Sequence, residues 1–142
     1  MIQLSHIDHI VLRLINLDAM ISFYCAVLGC KVERRQDEIG LVQLRAGSCL
    51  VDLVPVDGLL GRQGGGAPGA GGRNLDHVCF RVEPFDPAAI ARHLTQHGVD
   101  AGAVASRYGA AGQGPSMYLQ DPEGNTIELK GPAAAPPESP SM

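Results

Sequence analysis

IDHIVLRL (Ile7–Leu14) and LDHVCFRV (Leu75–Val82) are two copies of one stretch, and their match decides how the chain is read. Asp8 corresponds to Asp76, His9 to His77 and Arg13 to Arg81, all at an offset of 68 residues, and the apolar positions between them agree in type. A repeat at about half the chain length means one supersecondary unit occurring twice. The ends of the two halves match as well. GSCLVDLV (Gly47–Val54) aligns with GNTIELK (Gly124–Lys130), which sets Asp52 opposite Glu128. Each half therefore opens on a strand with a His and closes on a strand with a carboxylate. Imidazole nitrogens and carboxylate oxygens are ordinary ligands of divalent metals, so two His and one or two carboxylates form a usable ligand set.

At 142 residues the chain has the length of one domain, and its 45 % apolar content is enough for a core. A formal charge of −4 with no Lys/Arg cluster argues against nucleic acid or an anionic membrane as partner. Residues 1–10 have no basic start and no long apolar run, so no signal peptide is expected, and no stretch reaches the length of a membrane span. The four cysteines, Cys25, Cys30, Cys49 and Cys79, lack CxxC spacing and sit in apolar surroundings. They read as small core residues of a cytoplasmic, reducing compartment.

Outward from the repeats, residues 6–14 alternate well enough to form a strand. His9, Val11 and Arg13 share one face; Ile10, Leu12 and Leu14 share the other, which should pack under a helix. Asn16 and Asp18 are candidate N-caps. Met20, Phe23, Tyr24, Val27 and Leu28 recur at helical spacing, and Gly29 is a stop. Residues 31–35, 41–45 and 49–56 are short apolar runs parted by polar or Gly positions, hence three more strands, and the unit is βαβββ. Residues 75–83 repeat the first strand, with His77, Cys79 and Arg81 on one face and Val78, Phe80 and Val82 on the other. Asp86 caps a helix with Pro87 at its first position; Ile90, Ala91 and Leu94 form its apolar stripe and Gly98 ends it. A weak strand near residues 103–107, a loop through GAAGQG, a strand over 116–120, a tight turn at DPEGN (Asp121–Asn125) and a strand over 126–130 complete the second unit.

Residues 57–74 hold eight glycines and are expected to form neither helix nor packed strand; they read as a flexible linker. A phosphate-cradling role lacks the GxxxxGK[ST] pattern and a helix directly after it. The Pro-rich tail over residues 132–142 has little to bury and is expected to be disordered. The expected organisation is one domain over residues 1–131, with module one at 5–56, the linker at 57–74 and module two at 75–131.

Two βαβββ units, a His in the first strand of each, a helix ending in FYCAVLGC (Phe23–Cys30) and the finish DPEGNTIEL (Asp121–Leu129) resemble the vicinal oxygen chelate superfamily. Its members include glyoxalase I, fosfomycin-resistance thiol transferases, methylmalonyl-CoA epimerase, extradiol dioxygenases and bleomycin-resistance proteins. The resemblance spans residues 5–131. It implies an α+β fold in which the two modules curl a mixed sheet into a cup, helices outside, around one divalent ion (Zn, Ni, Mn, Co or Fe). By position it makes His9, His77 and Glu128 the metal ligands. It sets Asp52, one methylene shorter, where glyoxalase I has a second Glu, so Asp52 is a ligand or a base. Tyr118, ten residues before Glu128, falls where the thiol transferases carry an active-site Tyr. The resemblance also implies a homodimer, in keeping with strand edges that need covering.

Arg107, Gln113 and Ser116 flank the Gly-rich turn and are candidates to grip an anionic or oxygenated small-molecule substrate. Arg13 and Arg81 share the ligand face, either for substrate or to pair with carboxylates at its wall. His93 and His97 read as solvent-facing and His6 as outside the site. A metal with open positions would chelate two neighbouring substrate oxygens and stabilise an enolate-like species, the work of a glyoxalase-type lyase or isomerase with Asp52 as base. The same ligands suit a ring-cleaving dioxygenase, because two His and a carboxylate form the facial triad used with Fe(II), although that class usually contains four such units. They also suit a thiol transferase with Tyr118 in its site. Outside enzymes, the reading is a ligand-binding protein of the bleomycin-resistance type, a group that typically lacks the triad.

Overall fold

Strands and helices follow the expected order in the computed structural model, which describes residues 1–139. They are β1 (His9–Leu14), α1 (Leu17–Ser22), β2 (Lys31–Gln36), β3 (Leu41–Ala46), β4 (Cys49–Pro55), β5 (Val78–Arg81), α2 (Pro87–Gln96), β6 (Ala105–Gly109), β7 (Gly112–Gln120) and β8 (Thr126–Lys130). This is an α+β fold of two four-stranded mixed sheets. Among the described residues, no helix is long and apolar enough to cross a membrane. The chain divides into two units: Met1–Asn74 with Pro122–Gly124, and Leu75–Asp121 with the chain from Asn125 on.

In the first unit the sheet order is β1-β4-β3-β2, with β1 parallel to β4 and the other pairs antiparallel. Alternation sorts the side chains. Leu12 and Leu14 of β1, Val42 and Leu44 of β3, and Val51 and Leu53 of β4 share one face and are almost fully buried. Met20, Phe23 and Tyr24 of the helical segment are buried too. β1 starts at His9 and not at residue 6, because its parallel partner β4 begins only at Cys49; the ladder's first bond runs from Leu50 N to Asp8 O, 3.1 Å. Asn16 is the cap of α1, its Oδ1 accepting from Ala19 N at 3.1 Å, and Asp18 falls in the first turn, where its charge suits the helix dipole.

The helix does not continue to Leu28 in α form. It widens into a π turn over Phe23–Val27 before Gly29, at φ +75°, reverses the chain. A wider turn brings sequence neighbours closer on the helix surface than the roughly 100° of an α-helix. Two consecutive large rings can then enter one core, and Phe23 and Tyr24 pack edge-to-face at 5.3 Å.

Residues 57–74 are tied down at several points. Gly61–Gly64 form a 3₁₀ turn, and Gly69 and Gly72 exchange two backbone hydrogen bonds of 3.0 Å. Arg13 reaches over from β1: its Nη1 donates to Gly66 O and its Nη2 to Gly61 O and Gly65 O, each at 2.9 Å. Glycine makes this wrapping possible, since a Cβ at Gly64 would lie 2.4 Å from Arg13 Nε. Asn74 closes the segment by acting as a strand neighbour. Its Oδ1 accepts from Arg13 N at 2.9 Å and its Nδ2 donates to Arg13 O at 3.0 Å. Glycine composition had suggested a free tether; three carbonyls converging on one guanidinium overturn that.

The second unit repeats the plan, in the order β5-β8-β7-β6 with β5 parallel to β8. Met117, Leu119, Ile127, Leu129 and, from α2, Leu94 are its buried apolar residues. Asp86 caps α2 through Ala89 N at 3.1 Å, with Pro87 in the first turn. β5 is four residues, shorter than the nine expected over 75–83, so His77 stands just before it. GAAGQG is not a loop. Only Ala110 and Ala111 turn, and Gly112, at φ +114°, already pairs with Gly109 as the start of β7.

The tail is likewise not free of the fold. Ala134 N and Ala135 N both donate to Gln113 O, at 2.6 and 3.2 Å, and Glu138 N donates to the Tyr108 hydroxyl at 2.7 Å. Gly112 and Gly114 permit this approach, because a Cβ at either would collide with the tail backbone at Ala135 and Pro132. Backbone hydrogen bonding thus substitutes for the missing apolar burial. The expectation of disorder for residues 140–142 lies outside the described residues.

Leu12 is fully buried while its neighbour Val11, on the opposite face, is 46 % exposed. Leu12→Ala is expected to cost about 2–5 kcal/mol and Val11→Ala under about 1 kcal/mol. Urea unfolding of the two variants checks this; equal losses would contradict the assigned faces.

Candidate functional site

Ladder register makes the two carboxylates equivalent. Val11 stands opposite Asp52 in the first unit, and Cys79 opposite Glu128 in the second. On the next strand over, Gln43 stands opposite Asp52 and Tyr118 opposite Glu128. These residues, with His9 and Arg13 in one unit and His77, Arg81, Lys130, Ser116 and Arg107 in the other, occupy the faces turned away from the apolar cores.

In the second unit Glu128 is 6 % exposed, and its Oε1 lies 3.3 Å from His77 Nε2. His77 Nδ1 meets the Asp76 carboxylate at 2.6 Å. An ionised carboxylate only accepts, so Nδ1 carries a proton and Nε2 is the nitrogen left to face Glu128. In a neutral imidazole, Nε2 and Oε1 are then two acceptors pointed at each other. Such a pair needs a proton or a cation between its members. Metal bonds of about 2.0–2.1 Å at a roughly tetrahedral angle put two donor atoms about 3.3 Å apart, so the pair fits a divalent ion. The Asp76 contact is the carboxylate–histidine arrangement that orients metal-ligating imidazoles.

Tyr118 completes this corner. Its ring meets His77 edge-on at 5.5 Å, and Arg107 Cζ lies 4.5 Å over its centroid. Loss of hydration, and then the Glu128 charge, push its phenol pKa above the usual 10.0. Arg107 Nη1 donates to Ser116 O and Oγ, both at 2.9 Å. Ser116 is fully buried, and Gln113 Nε2 donates to Ser106 Oγ at 3.0 Å. Ser116 therefore holds Arg107 over the tyrosine, while Gln113 binds within the hairpin. Lys130, 5 % exposed, gives its ammonium to the carbonyls of Arg107 at 2.5 Å and Gly114 at 3.2 Å. Arg81 pairs with Glu83 at 2.8 Å. Burial raises the Cys79 thiol above its ordinary value, and the Glu128 charge adds to this.

The first unit repeats the His–Asp contact, with His9 Nδ1 at 2.7 Å from Asp8 Oδ1. Asp52, 5 % exposed, accepts from Gln43 Nε2 on both oxygens, at 3.2 and 3.3 Å. The hydrogen bond to Asp8, and then the charge of Asp52, raise the His9 pKa above 6.5. Arg13, expected to face substrate or a carboxylate, is instead spent on the glycine carbonyls. The His93 and His97 rings lie 4.5 Å apart on the exposed side of α2, and exposed His6 has its Nδ1 2.9 Å from Ser5 Oγ. All four cysteines are free, and burial pushes the Cys30 thiol up to about 11. Among the described residues, no three or more His, Cys, Asp or Glu side chains are gathered into a group that could hold a metal ion; His77 and Glu128 are the assigned ligands that the structure sets against each other.

Sequence reading missed Asp8, Asp76 and Gln43. The two aspartates carried a signal, since each precedes its His in both copies of the repeat. Gln43 carried none, because only the register of β3 on β4 brings it to Asp52.

A family model described as Glyoxalase/Bleomycin resistance protein/Dioxygenase superfamily matches residues 6–129. Among solved structures, the chain is similar to an integron cassette protein from the mobile metagenome of V. cholerae, with 26 % identity, TM-score 0.72, and coverage of 92 % of this chain and 98 % of that one. It is also similar to a virulence protein from Salmonella typhimurium, at 24 % identity and TM-score 0.76 over 93 % and 100 % of the two chains. A third likeness is to lactoylglutathione lyase from Agrobacterium tumefaciens, at 20 % identity and TM-score 0.63 over 89 % and 93 %. The last two, under 25 % identical, bear on the fold alone.

The raised His9 pKa fixes a sign. A group whose pKa rises on folding adds stability that is fully present below 6.5 and is lost as pH climbs through the raised value. NMR titration of the metal-free protein should give a His9 midpoint above 6.5, and Asp8→Asn, which removes the first cause of the shift, should lower it. A midpoint unmoved by Asp8→Asn would refute the hydrogen bond as the cause.

Proposed function

Because the chain belongs to the Glyoxalase/Bleomycin resistance protein/Dioxygenase superfamily, we propose that it is a metal-dependent lyase or isomerase of the glyoxalase type, acting on a small substrate with two neighbouring oxygens. The observation that carries this reading is the buried Glu128 carboxylate facing His77 Nε2 at 3.3 Å. The ligands we assign within the second unit are His77 and Glu128; His9, the third expected ligand, holds the equivalent place in the repeat of the first unit. Asp76 and Asp8 hold the two imidazoles in the tautomer that leaves Nε2 for the ion. When bound, a divalent ion supplies Lewis acidity to the substrate oxygens.

The remaining work belongs to the chain's own side chains. Asp52 is buried and accepts from the neutral amide of Gln43 on both oxygens. Its carboxylate takes a proton from the carbon next to a carbonyl and returns it to the neighbouring carbon, and Gln43 keeps it aimed. Arg107, fixed over Tyr118 by Ser116, offers a cation to an anionic part of the substrate. A second reading, thiol transfer, is favoured by the position of Tyr118 beside both His77 and Glu128. There the phenol, which carries its proton at neutral pH, donates a hydrogen bond to a developing oxyanion.

Purified protein should carry close to one divalent ion per chain by elemental analysis. His77→Ala should lower its affinity sharply, and Asp76→Asn by about 10–100-fold. A protein with no metal and no uptake on titration would sink the reading. Asp52→Asn should retain the metal while turnover of a hemithioacetal falls by about 10²–10⁴-fold. Metal lost together with activity would make Asp52 a ligand instead of the base, and fosfomycin plus a thiol as the substrate pair consumed would favour the Tyr118 reading.

A further inference from the structure

The glycine-rich segment carries an assembly that the metal reading does not use. Within the first unit a cavity of about 530 Å³ opens beside residues 66–74, and two guanidinium groups, Arg13 and Arg73, line it. Neither has a carboxylate partner among the described residues. Arg13 gives three N–H groups to glycine carbonyls, and Arg73 gives Nη1 to Glu123 O at 2.9 Å. Bonds to neutral carbonyls leave both positive charges uncompensated. Arg13 Nε, moreover, is the one buried side-chain polar atom among the described residues with no hydrogen-bond partner.

The backbone adds donors. Gly61, Gly65 and Gly66 turn their carbonyls toward Arg13, and the amides of Gly65, Gly66 and Ala67 donate to no acceptor among the described residues. Gly66 and Ala67 line the same cavity. Two guanidinium ions without a carboxylate partner, with two amides that lack an acceptor among the described residues on the same lining, are what an oxyanion requires. The chain as a whole carries −4, so general basicity does not explain them. A cavity of about 530 Å³ suits a small organic molecule better than a bare ion.

We propose that this cavity binds the phosphate group of a small phosphate ester. Arg73 and the Gly66 and Ala67 amides contact the oxygens, and Arg13 shapes the loop and adds charge. This is a binding site separate from the assigned metal ligands, and its readout is binding and not turnover.

The test is a titration of the full-length protein, followed in ¹H–¹⁵N spectra, with inorganic phosphate, phenyl phosphate and acetate at constant ionic strength set by chloride. Saturable shifts at Gly65, Gly66 and Ala67 are expected, tighter for phenyl phosphate than for inorganic phosphate. Arg73→Gln should raise Kd about tenfold or more, with Arg73→Lys between it and the native protein, because a lysine keeps the charge but not the fork. Arg73 donates one hydrogen bond among the described residues, to Glu123 O, so its replacement leaves the loop anchored by Arg13. Shifts that grow linearly for every anion, or a Kd unchanged in Arg73→Gln, would overturn the site. Acetate binding as tightly as phenyl phosphate would overturn the phosphate assignment.

Discussion

The parallel pairing of β1 on β4, and of β5 on β8, is the constraint from which the rest of each unit follows. Side chains alternate along a strand, so once Val11 stands opposite Asp52 and Cys79 opposite Glu128, the face of every neighbour is set. A slip of one residue in β4 would turn Val51 and Leu53 outward and drive Asp52 into the core. Each such apolar side chain forfeits about 1.5–3 kcal/mol when exposed, and an unpartnered carboxylate in the core costs several kcal/mol more. Parallel strands also cannot be joined by a tight turn. The crossover in each unit runs through a helix, and that helix supplies Met20 in one unit and Leu94 in the other to cover the face that the register has made apolar.

Much of this was legible before any coordinates. Pattern alone finds eight strands, two helices, the Asn16 and Asp86 caps and the Asp52–Glu128 equivalence, because each rests on local chemistry or on comparing the chain with itself. The misses share a different cause. Arg13 and Arg81 are the same residue at equivalent places in the repeat, yet one binds three glycine carbonyls and the other Glu83. Nothing within either copy distinguishes them; what differs is the segment that follows the first copy. The π turn was hidden because Phe23, Tyr24 and Val27 satisfy an α-helical stripe nearly as well. The anchored tail was hidden because glycines at 112 and 114 mark a backbone approach only after the approaching strand is known.

The site was legible as residue types and not as chemistry. Sequence comparison selects His9, His77, Glu128, Asp52 and Tyr118, but it cannot say which nitrogen each imidazole offers. The aspartates that precede the two histidines decide that, by taking Nδ1. It also cannot show that Ser116, a candidate to touch substrate, is fully buried and serves instead to hold Arg107 over Tyr118.

One methylene then separates the two halves. Each carboxylate stands directly opposite a residue two positions beyond the histidine of its own unit, so each His is a diagonal neighbour. Gln43, across the antiparallel β3–β4 pair, stands directly opposite Asp52, with Cβ atoms of such neighbours about 4.5–5.5 Å apart, whereas His9 is a diagonal step away. Asp52, the shorter side chain, binds its direct neighbour Gln43 on both oxygens and makes no hydrogen bond to His9. Glu128 spans the diagonal and comes within 3.3 Å of His77 Nε2. Across β3 and β7, Gln43 supplies an amide donor to Asp52, while Tyr118 supplies a ring packed against the histidine and a phenol hydrogen-bonded to Glu128. A duplicated strand pair thus gives one carboxylate bound by a neutral amide and one set against an imidazole and a phenol.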